Sequence, residues 1–376
     1  MRPLSATTAG VSFMSPLPVR SRLLHVDALK ALAAQLIVLH HLSAYGPVAD
    51  AVQALAPRLM AALYNEGRMA VQVFLVVGGF LSARGLSARG QLLEGSAVEL
   101  LWRRYLRLAL PFMASVFLTL GCSALVAPWL PELVPKSVTF AQLLSHGLLL
   151  HGVLGHEALT VGAWYVAVDF QLFALLLGVL CLARGLRLPR FWRRVIGPAL
   201  VAWLMVTALF VFNRVPELDV WALYFFGAYG LGALAHWLGL TSWRRLGLMG
   251  MAAAVMLALA IDFRERIALA LVTALVLAVL QQRHQDGQRL LPDFGKPLIA
   301  HLGTHSYALF LVHFPICLLV NALFEHQGLS GGWTGLLTMA AALLISNLAA
   351  LPFRRWIEAP AGRVRLSALL PRLLRA

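Results

Sequence analysis

Apolar residues along this chain gather in long stretches that polar residues interrupt only at intervals. A helix needs about 20 apolar residues to cross the hydrocarbon core of a bilayer, or fewer where neighbouring helices bury its ends. Ten stretches meet this requirement, at about 26–46, 69–85, 107–127, 161–183, 195–212, 220–238, 247–261, 267–281, 302–324 and 333–352. The pattern predicts an all-α, polytopic membrane protein with ten transmembrane helices, since a helix pairs its backbone polar groups within itself.

Two further apolar segments, about 50–64 and 138–154, contain ionisable side chains: Arg58, His146 and His151. We expect these segments to form interfacial or re-entrant helices. The ends of the chain are different. Residues 1–22 are rich in Ser, Thr and Pro and predict a disordered N-terminal segment, and residues 363–376 predict a basic cytoplasmic tail. Residues 23–362 between them form one predicted membrane domain.

Composition supports a membrane protein and excludes a soluble enzyme. Hydrophobic residues make up 60% of the 376 residues and charged residues 12%, with a mean hydropathy of +0.79. A soluble domain has about 45–50% apolar and about 25% charged residues. The net charge of +15 would suggest nucleic-acid binding in a soluble protein. Here the basic residues lie in loops, so we expect a lipid bilayer and no nucleic acid as partner.

The positions of the basic residues predict the orientation of the spans, because cytoplasmic loops of membrane proteins are enriched in Lys and Arg. With the N-terminus in the cytoplasm and ten alternating spans, 25 of the 31 basic residues fall on the cytoplasmic side. Six fall on the outer side: Arg58, Arg68, Lys136, Arg214, Arg264 and Arg266. This split predicts that both termini are cytoplasmic. If 138–154 were a full span, the arginine-rich loop 184–194 would lie outside.

Polar residues within the predicted spans are candidates for function, because they are costly in lipid. Lys30 and His41 are eleven residues apart, which is almost three helical turns and about 16 Å. Both side chains therefore point to one face of the first span. This suits an anionic ligand that enters from the cytoplasm and reaches the imidazole with its reactive end. Alternatively, Lys30 extends to the headgroups and His41 only bonds a neighbouring helix.

Two further sets of polar residues lie in or beside the spans. Asp169 lies at a depth comparable to that of His41, so its carboxylate could hold the imidazole in the tautomer that a general base needs. Alternatively, Asp169 forms a structural ion pair with an arginine. Arg103, Arg104 and Arg107 open the third span at the inner face, where they either anchor the helix or bind phosphate.

The remaining histidines and cysteines do not predict a metal site. His301 and His305 have the i, i+4 spacing of helical ligands, and His40 precedes His41. No histidine box repeats, however, and a membrane di-iron oxygenase would need several that converge. The three cysteines lie far apart in apolar runs. We therefore expect no metal.

Five blocks of the sequence, together with its ending, carry a further pattern. The blocks are Val26-Asp27-Ala28-Leu29-Lys30 with His41 eleven residues after the lysine, Val73 to Leu81, Arg103-Arg104-x-x-Arg107-x-x-x-Pro111, Trp164 to Phe173, and Leu302 to Pro315; the ending is Ile357-Glu358-Ala359-Pro360. In their order and spacing these blocks resemble the membrane-bound acyltransferase 3 family of bacterial and eukaryotic O-acyltransferases. The resemblance covers residues 24–362.

The resemblance implies an integral-membrane O-acyltransferase of the bacterial inner membrane. Such an enzyme moves an acyl group, often acetyl, from acyl-CoA to a hydroxyl of an envelope or secreted carbohydrate. It implies that His41 is catalytic and that Asp169 is the acid of the fourth block. It also implies that Lys30, Arg103, Arg104 and Arg107 meet the phosphates of CoA. Four residues are expected to line the substrate path: Trp164, Ser306, Tyr307 and His313, the last of which could instead only stabilise helix packing.

This chain departs from the family pattern at four positions. Lys30 replaces an arginine, Asp169 a glutamate, Gly78 a serine and Phe310 a tyrosine. The two changes at charged positions conserve charge. The lysine loses the bidentate fork of a guanidinium, and the aspartate is one methylene shorter.

Two routes of transfer and two other functions remain open from the sequence. His41 could deprotonate the acceptor hydroxyl, or carry the acyl group and give ping-pong kinetics. A transporter or flippase of a lipid-linked saccharide would show two repeat-related halves with broken helices, and the sequence shows no such halves. The third possibility is an inactive relative that acts as a scaffold.

Overall fold

The computed structural model describes residues 22–91, 95–186, 188–189, 191–288 and 293–362, and no strand occurs within these ranges. The predicted all-α fold is therefore confirmed. Thirteen helices of eight or more residues lie in these ranges: α1 Leu24–Ala44, α2 Pro47–Leu55, α3 Pro57–Asn65, α4 Ala70–Leu86, α5 Ala97–Val126, α6 Phe140–Gly147, α7 Ala163–Gly185, α8 Trp192–Phe210, α9 Ala222–Leu238, α10 Arg244–Ile261, α11 Glu265–Gln285, α12 Lys296–His326 and α13 Gly332–Phe353. The predicted terminal segments, apart from Arg22, lie outside the described residues.

Each of the ten predicted spans falls on a helix, and the chain is a multi-pass membrane protein. Eight helical stretches of the described chain are long and apolar enough to cross a bilayer: Pro57–Leu86, Ala97–Val126, Ala163–Gly185, Trp192–Arg214, Arg244–Ile261, Glu265–Gln285, Lys296–His326 and Gly332–Ala361. The other two predicted spans are α9, which has 17 residues, and α1, which carries Asp27, Lys30 and three histidines. The count of ten stays a prediction.

The two segments predicted to be interfacial form short helices. Segment 50–64 becomes α2 and α3, and α3 continues through a 3-10 turn into α4. Segment 138–154 becomes α6 followed by turns. The location of these helices at the membrane surface stays a prediction.

Glycines allow α4 and α9 to touch through their backbones. A Cβ on Gly79 would lie 1.9 Å from the carbonyl oxygen of Tyr229, and one on Gly232 would lie 1.8 Å from that of Val76. Small residues permit this kind of approach between membrane helices. Gly78, next to Gly79, faces the ring of Tyr229 and the carboxylate of Asp169.

The contact between α1 and α12 sets the register of the site. Gly303 abuts Asp27, since a Cβ on this glycine would lie 2.5 Å from the aspartate Cβ. Ten residues further along α12, His313 meets His41 on α1. The two helices therefore run in the same direction. By the same reasoning, Arg104 with Asp169 and Thr119 with Thr160 show that α5 and α7 run in opposite directions. Alternating spans require these relative directions.

Candidate active site

A pair of buried histidines joins the last turn of α1 to the middle of α12. The Nε2 atom of His313 lies 2.9 Å from Nδ1 of His41, and the two rings stack with centroids 4.9 Å apart. The Nδ1 atom of His313 lies 2.7 Å from the carbonyl oxygen of Phe310, one turn earlier on the same helix. Both histidines are buried, with exposed fractions of 8% for His41 and 1% for His313.

The carbonyl fixes the tautomers of both rings. A carbonyl oxygen only accepts, so Nδ1 of His313 carries the hydrogen and donates it to Phe310. In the neutral ring, Nε2 of His313 then has a lone pair and accepts from Nδ1–H of His41. This leaves Nε2 of His41 without a hydrogen. His41 therefore presents a basic nitrogen, and it is His313 that orients the ring.

His41 borders a cavity of about 500 Å³. The cavity lies where α1 ends and where α4, α7, α9 and α11 begin, with α12 beside it. Among the residues on its wall are His40, His41, Gln72, Trp164, Tyr165 and Phe310. Trp164 is exposed and its ring stacks on Phe225 at 5.5 Å. A basic nitrogen therefore faces a space with flat aromatic surfaces.

Asp169 pairs with an arginine in the structure. Its Oδ2 atom lies 2.5 Å from a terminal nitrogen of Arg104, with side-chain exposures of 8% and 23%. The guanidinium also lies over the ring of Phe173, 5.2 Å from its centre. Among the described residues no hydrogen bond joins Asp169 to His41. Of the two alternatives that the sequence leaves open for Asp169, the ion pair is the one observed.

The start of α5 explains this pairing. The helix begins at Ala97, ten residues before the predicted span, so Arg104 lies inside the helix and reaches Asp169 on α7. Arg103 points elsewhere: it is exposed and its Nε lies 2.6 Å from Glu99. The arginine cluster thus divides between a buried ion pair and the surface.

Charged residues gather near the other end of α1. Lys30 lies 3.5 Å from Asp27, which also pairs with Arg22 at 2.5 Å. Arg107 and Glu358 lie within electrostatic range of Lys30. Lys30 and Arg107 thus lie near each other, and Lys30 is about 16 Å along α1 from His41. Their contact with CoA stays a prediction.

The π-helical turn Arg354–Glu358 brings a carboxylate to this group. Such turns are rare and frequently occur at functional sites. Glu358 belongs to the closing sequence block, but the sequence alone did not single it out as a site residue.

Ser306 and Tyr307 lie on α12 between the two ends of the site. The Ser306 hydroxyl donates to the carbonyl of Gly303 at 3.0 Å, and the Tyr307 hydroxyl donates to that of Leu108 at 3.0 Å. Neither residue is on the wall of the His41 cavity as the described part of the chain forms it. Trp164 and His41 share the cavity, whereas Ser306 and Tyr307 do not.

The cavity wall includes residues that the sequence analysis missed as site residues. Gln72, Tyr165, Arg68 and Arg266 all line it. The two arginines carried a usable signal, because they are among the few basic residues on the predicted outer side. Polytopic proteins place basic residues preferentially inside. Basic residues that break this rule are therefore candidates for binding.

In the described ranges no three His, Cys, Asp or Glu side chains converge as metal ligands. The rings of His301 and His305 lie next to each other, tilted by 39° with centroids 4.3 Å apart, near the start of α12. His146 has a structural role: its Nδ1 donates to the carbonyl of Gln142 and its Nε2 accepts from the amide of Leu159.

Comparison with protein families matches residues 23–355 to the family described as "Acyltransferase domain" (Acyl_transf_3). No curated protein and no solved structure matches the chain. The matched segment contains all ten predicted spans, the histidine pair, the Arg104–Asp169 ion pair, and Lys30 with Arg107. The chain therefore belongs to the acyltransferase 3 family and is a membrane-bound acyltransferase.

Proposed function

We propose that this protein moves an acyl group, preferentially acetyl, from acyl-CoA to a hydroxyl of an envelope or secreted carbohydrate at the bacterial inner membrane. The observation that carries the proposal is the hydrogen-bonded series from the Phe310 carbonyl through His313 to His41, which ends in a bare nitrogen at a cavity. Acyl transfer to a hydroxyl needs a base at the point where donor and acceptor meet.

The proposed reaction uses this nitrogen directly. Nε2 of His41 takes the proton of the acceptor hydroxyl as its oxygen attacks the thioester carbonyl. The new C–O bond forms, the C–S bond breaks, and the thiolate of CoA takes the proton from the imidazolium. His313 accepts a hydrogen bond from Nδ1–H of His41 throughout. The imidazolium is therefore stabilised without a change in ring orientation.

The charged end of α1 is the proposed entrance of the donor. With both termini in the cytoplasm, Lys30 and Arg107 lie on the cytoplasmic side, where acyl-CoA is available. Their cations would meet the phosphates of CoA, with Arg103 at the surface nearby. Arg104 lies between this end and the cavity. We propose that Asp169 acts by holding Arg104 in place.

The cavity at His41 is the proposed acceptor site. In the same orientation it faces the outer side, because it lies at the end of α1 and at the starts of α4, α7, α9 and α11. Trp164 offers a flat apolar face to a sugar ring on one wall. The two substrates would thus approach His41 from opposite sides of the bilayer.

The test is release of CoA from acetyl-CoA by purified protein in detergent, with and without candidate glycosides. We expect His41→Ala to slow release by about 10²- to 10⁴-fold, and His326→Gln to retain it. His326 is a matched control because it lies at the exposed end of α12, against Trp129. Equal rates in wild type and His41→Ala would refute the role of His41. An acyl group that stays on the wild-type protein after gel filtration, but not on His41→Ala, would show that His41 carries it in place of acting as a base.

The competing functions give different results in the same preparation. A flippase would move a lipid-linked saccharide across proteoliposomes without consuming acyl-CoA. A scaffold would support acylation in cells equally well as wild type and as His41→Ala.

A further inference from the structure

Two arginines on the wall of the His41 cavity lack an acidic partner. Arg68 donates from Nε to the carbonyl of Asn65 at 3.1 Å, and Arg266 donates from a terminal nitrogen to the carbonyl of Asn213 at 3.1 Å. Neither forms an ion pair with any carboxylate in the described ranges. One carboxylate, that of Asp219, also lines the cavity. The wall therefore carries an excess of positive charge.

Nearby arginines outside the cavity are paired. Arg214 and Arg264 lie 3.6 and 3.4 Å from Oδ2 of Asp262. Arg264 also donates to the side chain of Asn213 at 2.6 Å and to the carbonyl of Leu209 at 3.1 Å. Of these four outer-side arginines, the two on the cavity wall are thus the two without a carboxylate partner. An arginine has five N–H donors, which pair best with a carboxylate or phosphate.

Arg266 is held in place by a rigid frame. Its guanidinium lies 4.8 Å from the centre of the Tyr224 ring, which also lines the cavity. The carbonyl of Tyr224 accepts from the Asn213 side-chain amide at 2.8 Å, and Asn213 itself is buried. A cation held over an aromatic ring keeps its edge free for a ligand. The arrangement is that of a prepared anion site.

We propose that the acceptor saccharide is anionic: it carries a carboxylate or phosphate group that Arg68 and Arg266 bind while a neighbouring hydroxyl lies at His41. This inference rests on the proposed function for the identity of the hydroxyl substrate. The negative charge of the acceptor is inferred independently, from the two arginines on the cavity wall. The two arginines would orient the acceptor, and so select which hydroxyl meets the base.

The experiment measures binding of three probes to the full-length protein in nanodiscs of phosphatidylcholine, by quenching of tryptophan fluorescence. The probes are a methyl glucuronoside, a methyl glucoside 6-phosphate and a neutral methyl glucoside. We expect one of the charged probes to bind at least about tenfold more tightly than the neutral one. The preference should weaken with added salt. The carboxylate and phosphate probes distinguish the two possible groups.

Substitutions show which arginines cause the preference for a charged probe. Arg68→Gln and Arg266→Gln should each remove most of the preference for the charged probe. Arg214→Gln, outside the cavity and paired with Asp262, should keep it. A parallel set in nanodiscs with phosphatidylglycerol tests whether the arginines bind lipid headgroups. The proposal would be overturned if phosphatidylglycerol bound at the two arginines while, in phosphatidylcholine, the charged saccharide probes bound no more tightly than the neutral one.

Equal binding of charged and neutral probes, or no binding of either charged probe, would also overturn it. CoA release on the same samples separates this outcome from failure of the proposed function. Release that depends on His41 with no charge preference leaves the acyltransferase reaction and refutes the anionic acceptor. Charge-selective binding without any CoA release would support the anion site and refute the proposed transfer reaction.

Discussion

Replacement of His313 by phenylalanine should impair catalysis while leaving donor binding intact. The ring of phenylalanine has a similar shape but offers no acceptor to Nδ1–H of His41. The imidazole can then adopt the other tautomer, in which the hydrogen lies on the nitrogen that must act as a base. The imidazolium formed during the reaction also loses its hydrogen-bond acceptor.

The magnitude follows from the single bond of 2.9 Å between the rings. A hydrogen bond to a charged group contributes about 1.5–3 kcal/mol. A tenfold change in rate corresponds to about 1.4 kcal/mol. We therefore expect kcat to fall by roughly 10- to 150-fold. Removal of the base itself in His41→Ala should cost about 10²- to 10⁴-fold.

The assay is CoA release at saturating acyl-CoA, with KM for acyl-CoA measured on the same samples. His313→Gln should recover much of the rate, because its amide oxygen can accept from His41. A purely structural role of His313 would predict that both variants lose stability and activity together. An unchanged kcat in His313→Phe, at full thermal stability, would refute the orientation of His41 by His313.

Three further predictions concern stability, each measured as thermal unfolding in detergent. Gly79→Ala should destabilise the fold by more than about 3 kcal/mol, because the new methyl group meets backbone that cannot move aside. Gly178→Ala is the control: its methyl group would have no neighbouring atom within 4 Å, so this variant should be neutral or stabilising. Equal effects of the two substitutions would contradict the contact of α4 with α9. Asp169→Asn should lower the free energy of unfolding by about 3–5 kcal/mol, because it leaves Arg104 unpaired. The double variant Asp169→Leu with Arg104→Met should recover most of this loss. If it does not, the two residues contribute to stability by more than their pairing. Burial lowers the pKa of His151, which lies outside the membrane-spanning helices, to about 4, so it contributes stability that is present above about pH 6.5 and lost towards pH 4. His151→Phe should reduce the loss of stability between about pH 6.5 and pH 4 by as much as about 3 kcal/mol. It should therefore raise stability at low pH, since both ring nitrogens of His151 are buried without a partner among the described residues. An unchanged pH profile would contradict that burial.

The helices of this protein were predictable because the membrane imposes them. A stretch of apolar residues has one stable form in lipid, and ten such stretches fall on ten helices. The family was predictable for a related reason, since its sequence blocks lie on the helices that build the site. The start of α5 was less predictable, because Glu99, Arg103 and Arg104 interrupt the apolar residues of its first turns.

The pairing of side chains was not predictable, because it depends on helix register. The spacing of Lys30 and His41 indicates one shared face, but it does not say what faces them. The meeting of His41 with His313 depends on Gly303 lying against Asp27, a contact between residues 276 positions apart. Asp169 likewise has a depth similar to that of His41, yet Arg104 lies closer once α5 is extended at its start.

The placement of Lys30 and His41 on one unbroken helix makes α1 a molecular ruler. A rigid helix cannot shorten, so the distance along α1 from Lys30 to His41 is fixed. In the proposed reaction, acyl-CoA must span this distance between its phosphates at Lys30 and its thioester at His41. An acyl carrier without phosphates at that distance would then not be held by Lys30. Selection among acyl carriers would then depend on the length of the arm as well as on the acyl group.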